Sequence, residues 1–279
     1  MASYAYDGIR IHYSPEGPAD AQRTPVLLIH GLGSSGDDWI FQGDVLAGRR
    51  AIATIDLPGF GKSDGFHFVP RIEDYARAAA GLCREVWGRP VHVVGLSLGG
   101  AVGLEMAAQN AEGVASVVAV GTPSGLSLGL GGLLLGFPLL ASVLLGRMNW
   151  VGWLVARDLF PEEDQKMIRL EAQQRLANNR RGDYLRALAA LGRSRLGKDV
   201  ARLECPVLIV AGAQDRTVRV GEQRKLADRI RGARFAEVPG SRHATPVDSP
   251  EVFNRLLLNF LDEVESAELG SNGLAGEAA

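Results

Sequence analysis

Short, uninterrupted apolar runs alternate along the chain with longer stretches in which apolar positions return every three or four residues. The runs near 25–29, 51–55, 91–95, 114–120, 206–212 and 233–238 predict buried strands. Tyr4 to Tyr6 and Ile9 to Tyr13 flank Asp7-Gly8 and read as an antiparallel hairpin. Helices are predicted over Ile72 to Trp87, Leu98 to Asn110, Glu222 to Arg231 and Pro250 to Glu265, each with one apolar face to pack on a sheet. Strand and helix in alternation give a layered α/β fold with helices flanking a sheet.

The alternation stops between the strand ending near Val120 and the one beginning at Pro206. Residues 122–197 therefore read as a helical cap inserted into a core made of 1–121 and 198–265. The second half of the insertion is polar and helical (Glu162 to Asn178, Asp183 to Leu191), whereas Gly125 to Gly146 carries no charge. That uncharged segment is long enough to suggest a membrane span, but it holds six glycines and Pro138 and must return to the same sheet. It is expected to form an apolar wall of a substrate pocket, with Leu134 and Phe137 facing the substrate; membrane-surface association through 125–146 is the alternative. Residues 266–279 are rich in Gly, Ala, Ser and Glu without a packable stripe and are expected to be disordered.

Composition narrows the class. A chain of 279 residues, 46% hydrophobic, can bury one enzyme-sized core. Its net charge of -2 gives no basic face for nucleic acid, and the arginines from Arg169 to Arg195 are interspersed with Glu171, Asp183 and apolar residues. The N-terminus lacks a basic segment followed by an apolar core, so cytoplasmic residence is expected. Cys83 and Cys205 lie far apart and read as reduced thiols, and no histidines are spaced for a metal. Oligomeric state is not set by any of these features.

Chemistry concentrates at strand ends. Gly95-Leu96-Ser97-Leu98-Gly99 follows the run Val91 to Val94 and opens a helix, the setting of a nucleophile elbow in which a serine hydroxyl is held out at the top of a sheet. Side chains at positions 95 and 99 would there collide with neighbouring main chain. The strand near 25–29 runs into His30-Gly31-Leu32-Gly33, a small-residue loop that can aim a backbone N–H at the serine. The oxyanion hole is assigned to the N–H groups of Leu32 and Leu98, and Trp39, near the end of that loop, to the substrate pocket. Asp215 and His243 follow the last two strands, so His243 can take the Ser97 proton while Asp215 holds the other ring nitrogen. Asp248 is the rival acid, although its position before Ser249-Pro250 suits a cap on the last helix. His12, His67 and His92 read as packed or solvated, and Asp56 to Ser63 as a structural loop.

Taken in order, His30-Gly31-x-Gly33 with Trp39, Asp56-Leu57-Pro58-Gly59-Phe60-Gly61-Lys62-Ser63, Gly95-Leu96-Ser97-Leu98-Gly99-Gly100, the Gly212 to Asp215 loop with Val218, and His243 before Pro250 resemble the α/β-hydrolase superfamily over nearly the whole chain. Within it the chain resembles the small esterase, enol-lactonase and cofactor-free haloperoxidase-like group. The resemblance implies a mostly parallel sheet, a serine that works without a cofactor, and a cap ahead of the strand that carries the acid. Serine at 97 disfavours the epoxide hydrolases and haloalkane dehalogenases, which have aspartate there. Arg242 and Ala244 around His243 depart from the pattern of the carbon–carbon bond hydrolases. The expected activity is hydrolysis of a small to medium apolar ester or lactone. A perhydrolase or haloperoxidase-like activity is the alternative, and a ligand receptor that keeps the fold a third reading.

Overall fold

In the computed structural model, which describes residues 2–18, 22–124, 139–194, 196 and 200–276, the predicted strands form one sheet. β1 (Ala2–Tyr6) and β2 (Ile9–Glu16) make the hairpin, followed by β3 (Val26–Ile29), β4 (Ile52–Ile55), β5 (Val91–Leu96), β6 (Val114–Val120), β7 (Val207–Gly212) and β8 (Arg234–Val238). Their spatial order is β1-β2-β4-β3-β5-β6-β7-β8, antiparallel at β1/β2 and β2/β4 and parallel from β4 onward. Parallel strands covered on both faces are buried along their length, and β3, β4, β5 and β7 accordingly carry no polar side chain but Thr54 and His92.

Alternate residues of the strands feed two cores. Leu27, Ile29, Val93, Val117 and Ile209 face the helices Ile72–Val86, Leu98–Gln109 and Val220–Arg229. Leu28, Val94, Val118 and Val210 face the helices Ile40–Leu46 and Pro250–Gly276, which contribute Leu46, Phe253, Leu257 and Leu261. The last helix is pinned to the strand starts by buried Arg50, which donates to Glu265 at 2.7 Å, and by Arg23, 2.6 Å from Asp262. That helix continues to Gly276, into the 266–279 segment for which disorder is expected from sequence. Extending a nucleated helix adds one hydrogen bond per residue fixed and does not require an apolar stripe.

Between β6 and β7 the described residues hold a short helix over 139–144 and the helices Met148–Leu159, Lys166–Ala177 and Arg181–Arg193. Leu134 and Phe137, assigned to the pocket from sequence, lie outside the described residues. Of the uncharged segment, the 139–146 portion carries the exposed residues Leu140, Leu144 and Leu145. No helix among the described residues is long and apolar enough to cross a membrane. The inserted helices dock on core loops through polar contacts: Arg175 pairs with Asp38, Asn179 donates to the Gly33 carbonyl at 2.7 Å, and Arg180 donates to the Ser63 carbonyl at 3.0 Å. Asp183, buried against Gly59 and Gly65, is held by Arg180 at 2.7 Å and Arg186 at 2.9 Å.

The helix Leu98–Gln109 approaches β3 at backbone distance: a Cβ on Gly99 would fall against the Ile29 carbonyl and 2.7 Å from that of His30. Neither neighbour is a flexible side-chain end, so the clash cannot relax locally. Gly99→Ala is expected to lower the unfolding free energy by about 1–3 kcal/mol. Gly221→Ala, where a Cβ meets open space, should leave it unchanged or slightly raised. Equilibrium denaturation of the two variants side by side checks this, and equal stabilities would refute the close-approach argument.

Candidate active site

β5 runs directly into the helix Leu98–Gln109, and Ser97 between them has φ 54° and ψ -107°. A non-glycine residue in that region costs about 1–3 kcal/mol and persists only where the surroundings over-determine it. Here they do. The Ser97 N–H donates to Val120 at 2.7 Å, its carbonyl accepts from Ala101 at 3.1 Å, and a Cβ on Gly95 would overlap the backbone of Gly99 and Gly100. The hydroxyl does not cap its own helix, and the residue lines a cavity of about 430 Å³. The collision expected at positions 95 and 99 is thus a feature of the fold.

His243, beyond β8, lines the same cavity and is bound from behind by Asp215, beyond β7. Asp215 accepts four hydrogen bonds: at Oδ1 from the N–H groups of Thr217 (2.8 Å) and Val218 (2.9 Å), at Oδ2 from Gln223 Nε2 (3.2 Å) and His243 Nδ1 (2.9 Å). An ionised carboxylate only accepts, so Nδ1 carries the proton and Nε2 is left as the basic nitrogen. Burial alone would lower the His243 pKa, but the charge and hydrogen bond of Asp215 outweigh it and hold the value above that of an ordinary histidine. Asp248 has other work than the helix cap expected of it. Its two oxygens accept from Ser241 Oγ at 2.6 Å and the Arg242 N–H at 2.7 Å, fixing the turn that delivers His243.

The loop after β3 is set by His30, which is fully buried. The Leu57 N–H donates to His30 Nε2 at 2.9 Å, so the proton resides on Nδ1, which donates to the Gly31 carbonyl at 2.7 Å. Burial keeps this ring neutral by lowering its pKa. In a trans peptide the carbonyl and the following N–H point in opposite directions, so fixing the Gly31 carbonyl turns the Leu32 N–H to the other side of that peptide. Gly31 lies against Ser97, its Cβ position being 3.7 Å from that of the serine, and both Gly31 and Leu32 line the cavity. Leu98 is the first residue of its helix, where an N–H has no intrahelical partner and the dipole favours negative charge.

Asp56 ties the neighbouring loop together by accepting from the N–H groups of Gly36 (2.8 Å) and Lys62 (2.9 Å) and contacting His12 Nδ1 at 3.0 Å. Trp39 is not in the cavity and that assignment is corrected: it is 1% exposed and packs against Phe253, with ring centroids 6.5 Å apart. The next two residues, Ile40 and Phe41, line the cavity in its place. One helical step separates the two sides of this segment, a distinction that a lone aromatic in a loop does not signal. Gln223 and the cavity-lining Asp158 were not singled out from sequence, since amide and carboxylate side chains on helices are ordinarily surface residues. Both cysteines are free, and burial pushes the Cys83 thiol up to about 12 and that of Cys205 to about 11.

Comparison with known proteins agrees with this fold. A protein named carbamate hydrolase RutD from Azorhizobium caulinodans is 29% identical over 279 residues, covering 94% of this chain and 99% of its own. The protein of the same name from a Caulobacter strain is 30% identical over 275 residues, covering 94% and 98%. Among solved structures, the enol-lactonase from Burkholderia xenovorans superposes with a TM-score of 0.86 at 20% identity over 94% of this chain and all of that one. A bromoperoxidase from Bacillus anthracis gives 0.81 at 23% identity, covering 91% and 96%. At such identities the structural matches establish the fold. A model described as the alpha/beta hydrolase family matches residues 26–256, from β3 into the last helix, and the chain belongs to that family.

Proposed function

We propose that the protein hydrolyses a carboxylic ester or lactone with a small to medium apolar acyl group through an acyl-enzyme on Ser97. His243 Nε2 takes the proton of Ser97 Oγ as the oxygen attacks the carbonyl carbon. The oxyanion is met by the N–H groups of Leu32 and Leu98. Collapse of the tetrahedral intermediate breaks the bond to the alcohol oxygen, which leaves with the proton held by His243. In the second half His243 takes a proton from water, the hydroxide attacks the acyl carbon, and Ser97 recovers its proton as the acid departs.

The observation that carries this reading is the 2.9 Å hydrogen bond from His243 Nδ1 to a buried Asp215, in a cavity that His243 shares with Ser97. Apolar lining from Leu32, Ile40, Phe41, Leu139, Val155 and Leu188 supports an apolar acyl group. The name of the relatives from Azorhizobium and Caulobacter supports carbamates as a second substrate class, because attack at a carbamate carbonyl needs the same nucleophile and oxyanion donors.

Turnover of p-nitrophenyl esters of graded chain length, simple lactones and aryl carbamates tests the reading. A parallel arm with peroxide and a carboxylic acid separates hydrolysis from perhydrolysis. Absence of turnover on the whole panel by folded protein would reject it. Ser97→Ala is expected to lower kcat by about 10⁴ to 10⁶ with unfolding free energy changed by less than about 1 kcal/mol.

Asp215→Asn should reduce kcat by roughly 10⁴, since an amide can present the wrong partner to Nδ1, and Asp248→Asn should reduce it less. The reverse ranking would move the acid to Asp248.

As a base, His243 must be neutral, and its pKa is raised. The rate kcat/KM is therefore expected to rise with pH along a limb whose midpoint lies above the ordinary histidine value of about 6.5. Removing the Asp215 charge should move that limb to lower pH. A wild-type midpoint below about 6 would contradict the Asp215–His243 coupling.

A further inference from the structure

Asp158 stands in the last turn of the helix Met148–Leu159, half-buried and facing the cavity beside Leu154, Val155, Leu159 and Phe160. Three features set it apart from the other acids lining that cavity. Among the described residues no hydrogen bond or ion pair engages its carboxylate, whereas Asp38 is paired with Arg175 and Asp37 accepts from Ser35 Oγ at 3.3 Å. Its position opposes the helix dipole, which disfavours an anion at a C-terminus; Glu222, in the first turn of Val220–Arg229, sits where the dipole favours one. Its charge also reaches His243, contributing to the raised pKa of that ring, whereas the remaining acid, Glu171, is exposed.

A half-buried carboxylate with no partner among the described residues, set against its own helix dipole, is not placed there for stability. No donor among the described residues reaches its oxygens, and the neighbouring cavity walls, Leu154, Val155 and Leu159, are apolar. What fits those oxygens is a donor carried by the substrate. On the reading of the site as an ester or lactone hydrolase, we infer that Asp158 is a specificity-determining residue that accepts a hydrogen bond from a hydroxyl, N–H or ammonium on the substrate. Because Asp158 lines the same cavity as Ser97 and His243, a donor on the bound substrate can face it while the scissile carbonyl meets the serine. Preferred substrates are accordingly hydroxy- or amino-substituted esters and lactones, not plain alkyl ones. A substrate without the donor leaves the Asp158 carboxylate desolvated and unsatisfied, which is the source of the discrimination.

The test compares kcat/KM for ethyl butyrate, ethyl 3-hydroxybutyrate and ethyl 3-aminobutyrate in wild type, Asp158→Asn and Asp158→Leu, with thermal unfolding of each protein. Wild type is expected to prefer the hydroxy or amino ester over the plain one by roughly 10- to 100-fold. In Asp158→Leu that ratio should fall to near one, with the change mainly in KM for the substituted ester. Asp158→Asn keeps an acceptor oxygen, so it should retain part of the hydroxyl preference while losing any ammonium preference; the two arms thereby separate a neutral donor from a cation. Neither variant should unfold at lower temperature than wild type, because each removes an unfavourable charge from a helix C-terminus. A ratio unchanged in Asp158→Leu, with all three esters falling together, would overturn the proposal and leave the hydrolase reading intact. Absence of turnover on every ester by wild type would instead reject the hydrolase reading and this proposal with it.

Discussion

Backbone-to-backbone contact between β5, β3 and the helix Leu98–Gln109 is the constraint on which the rest of the site depends. The helix can start directly above the sheet only because Gly95 and Gly99 carry no Cβ, and that start forces Ser97 to a positive φ. The cost, about 1–3 kcal/mol, is met by hydrogen bonds that hold the serine from both sides and by the packing of a helix whose first seven residues are all buried. One steric arrangement thereby lifts a hydroxyl above the sheet and leaves the Leu98 N–H at the positive end of a helix.

Around this rigid turn the loops are fixed by buried or half-buried polar side chains, each bound to at least two partners. His30 organises the loop after β3, Asp56 the loop after β4, Asp215 the loop after β7 and Asp248 the turn before His243. Loops at the C-terminal ends of parallel strands carry backbone groups with no ladder partner, so a buried side chain that satisfies several of them orders the segment and costs little in desolvation. The inserted helices then rest on these same loops through Arg175, Asn179, Arg180 and Asp183. The wall of the cavity is thereby tied by hydrogen bonds and ion pairs to the loops that carry the groups at its floor.

Much of this was legible in the chain because it is written in short-range chemistry. Apolar runs and the Asp7-Gly8 turn located all eight strands, within two residues except at the end of β2, which runs three residues past Tyr13, and the elbow glycines are dictated by sterics that any sequence must obey. What stayed hidden depends on which way a side chain points. Trp39 lies in a turn that carries Ile40 and Phe41 to the cavity and itself to the core, and nothing in a loop's composition distinguishes the two faces. Gln223 is an internal donor to Asp215 although glutamine on an amphipathic helix ordinarily faces water. Asp248 sits where a helix cap would, yet its oxygens turn back to Ser241 and Arg242, a long-range choice set by the loop. The helix through Gly276 exceeded the packable stripe because its growth depends on the preceding turns, not on burial.

The central claim, that Ser97 is the nucleophile of a serine hydrolase, is tested most directly by covalent labelling. A fluorophosphonate forms a stable bond only to a serine whose proton is taken by a neighbouring base. Intact-mass measurement of the treated protein followed by peptide mapping should find one adduct per chain, on the peptide containing Ser97, with labelling lost in His243→Ala. An adduct confined to another residue, or an unlabelled Ser97 in a protein that still turns over esters, would contradict the account.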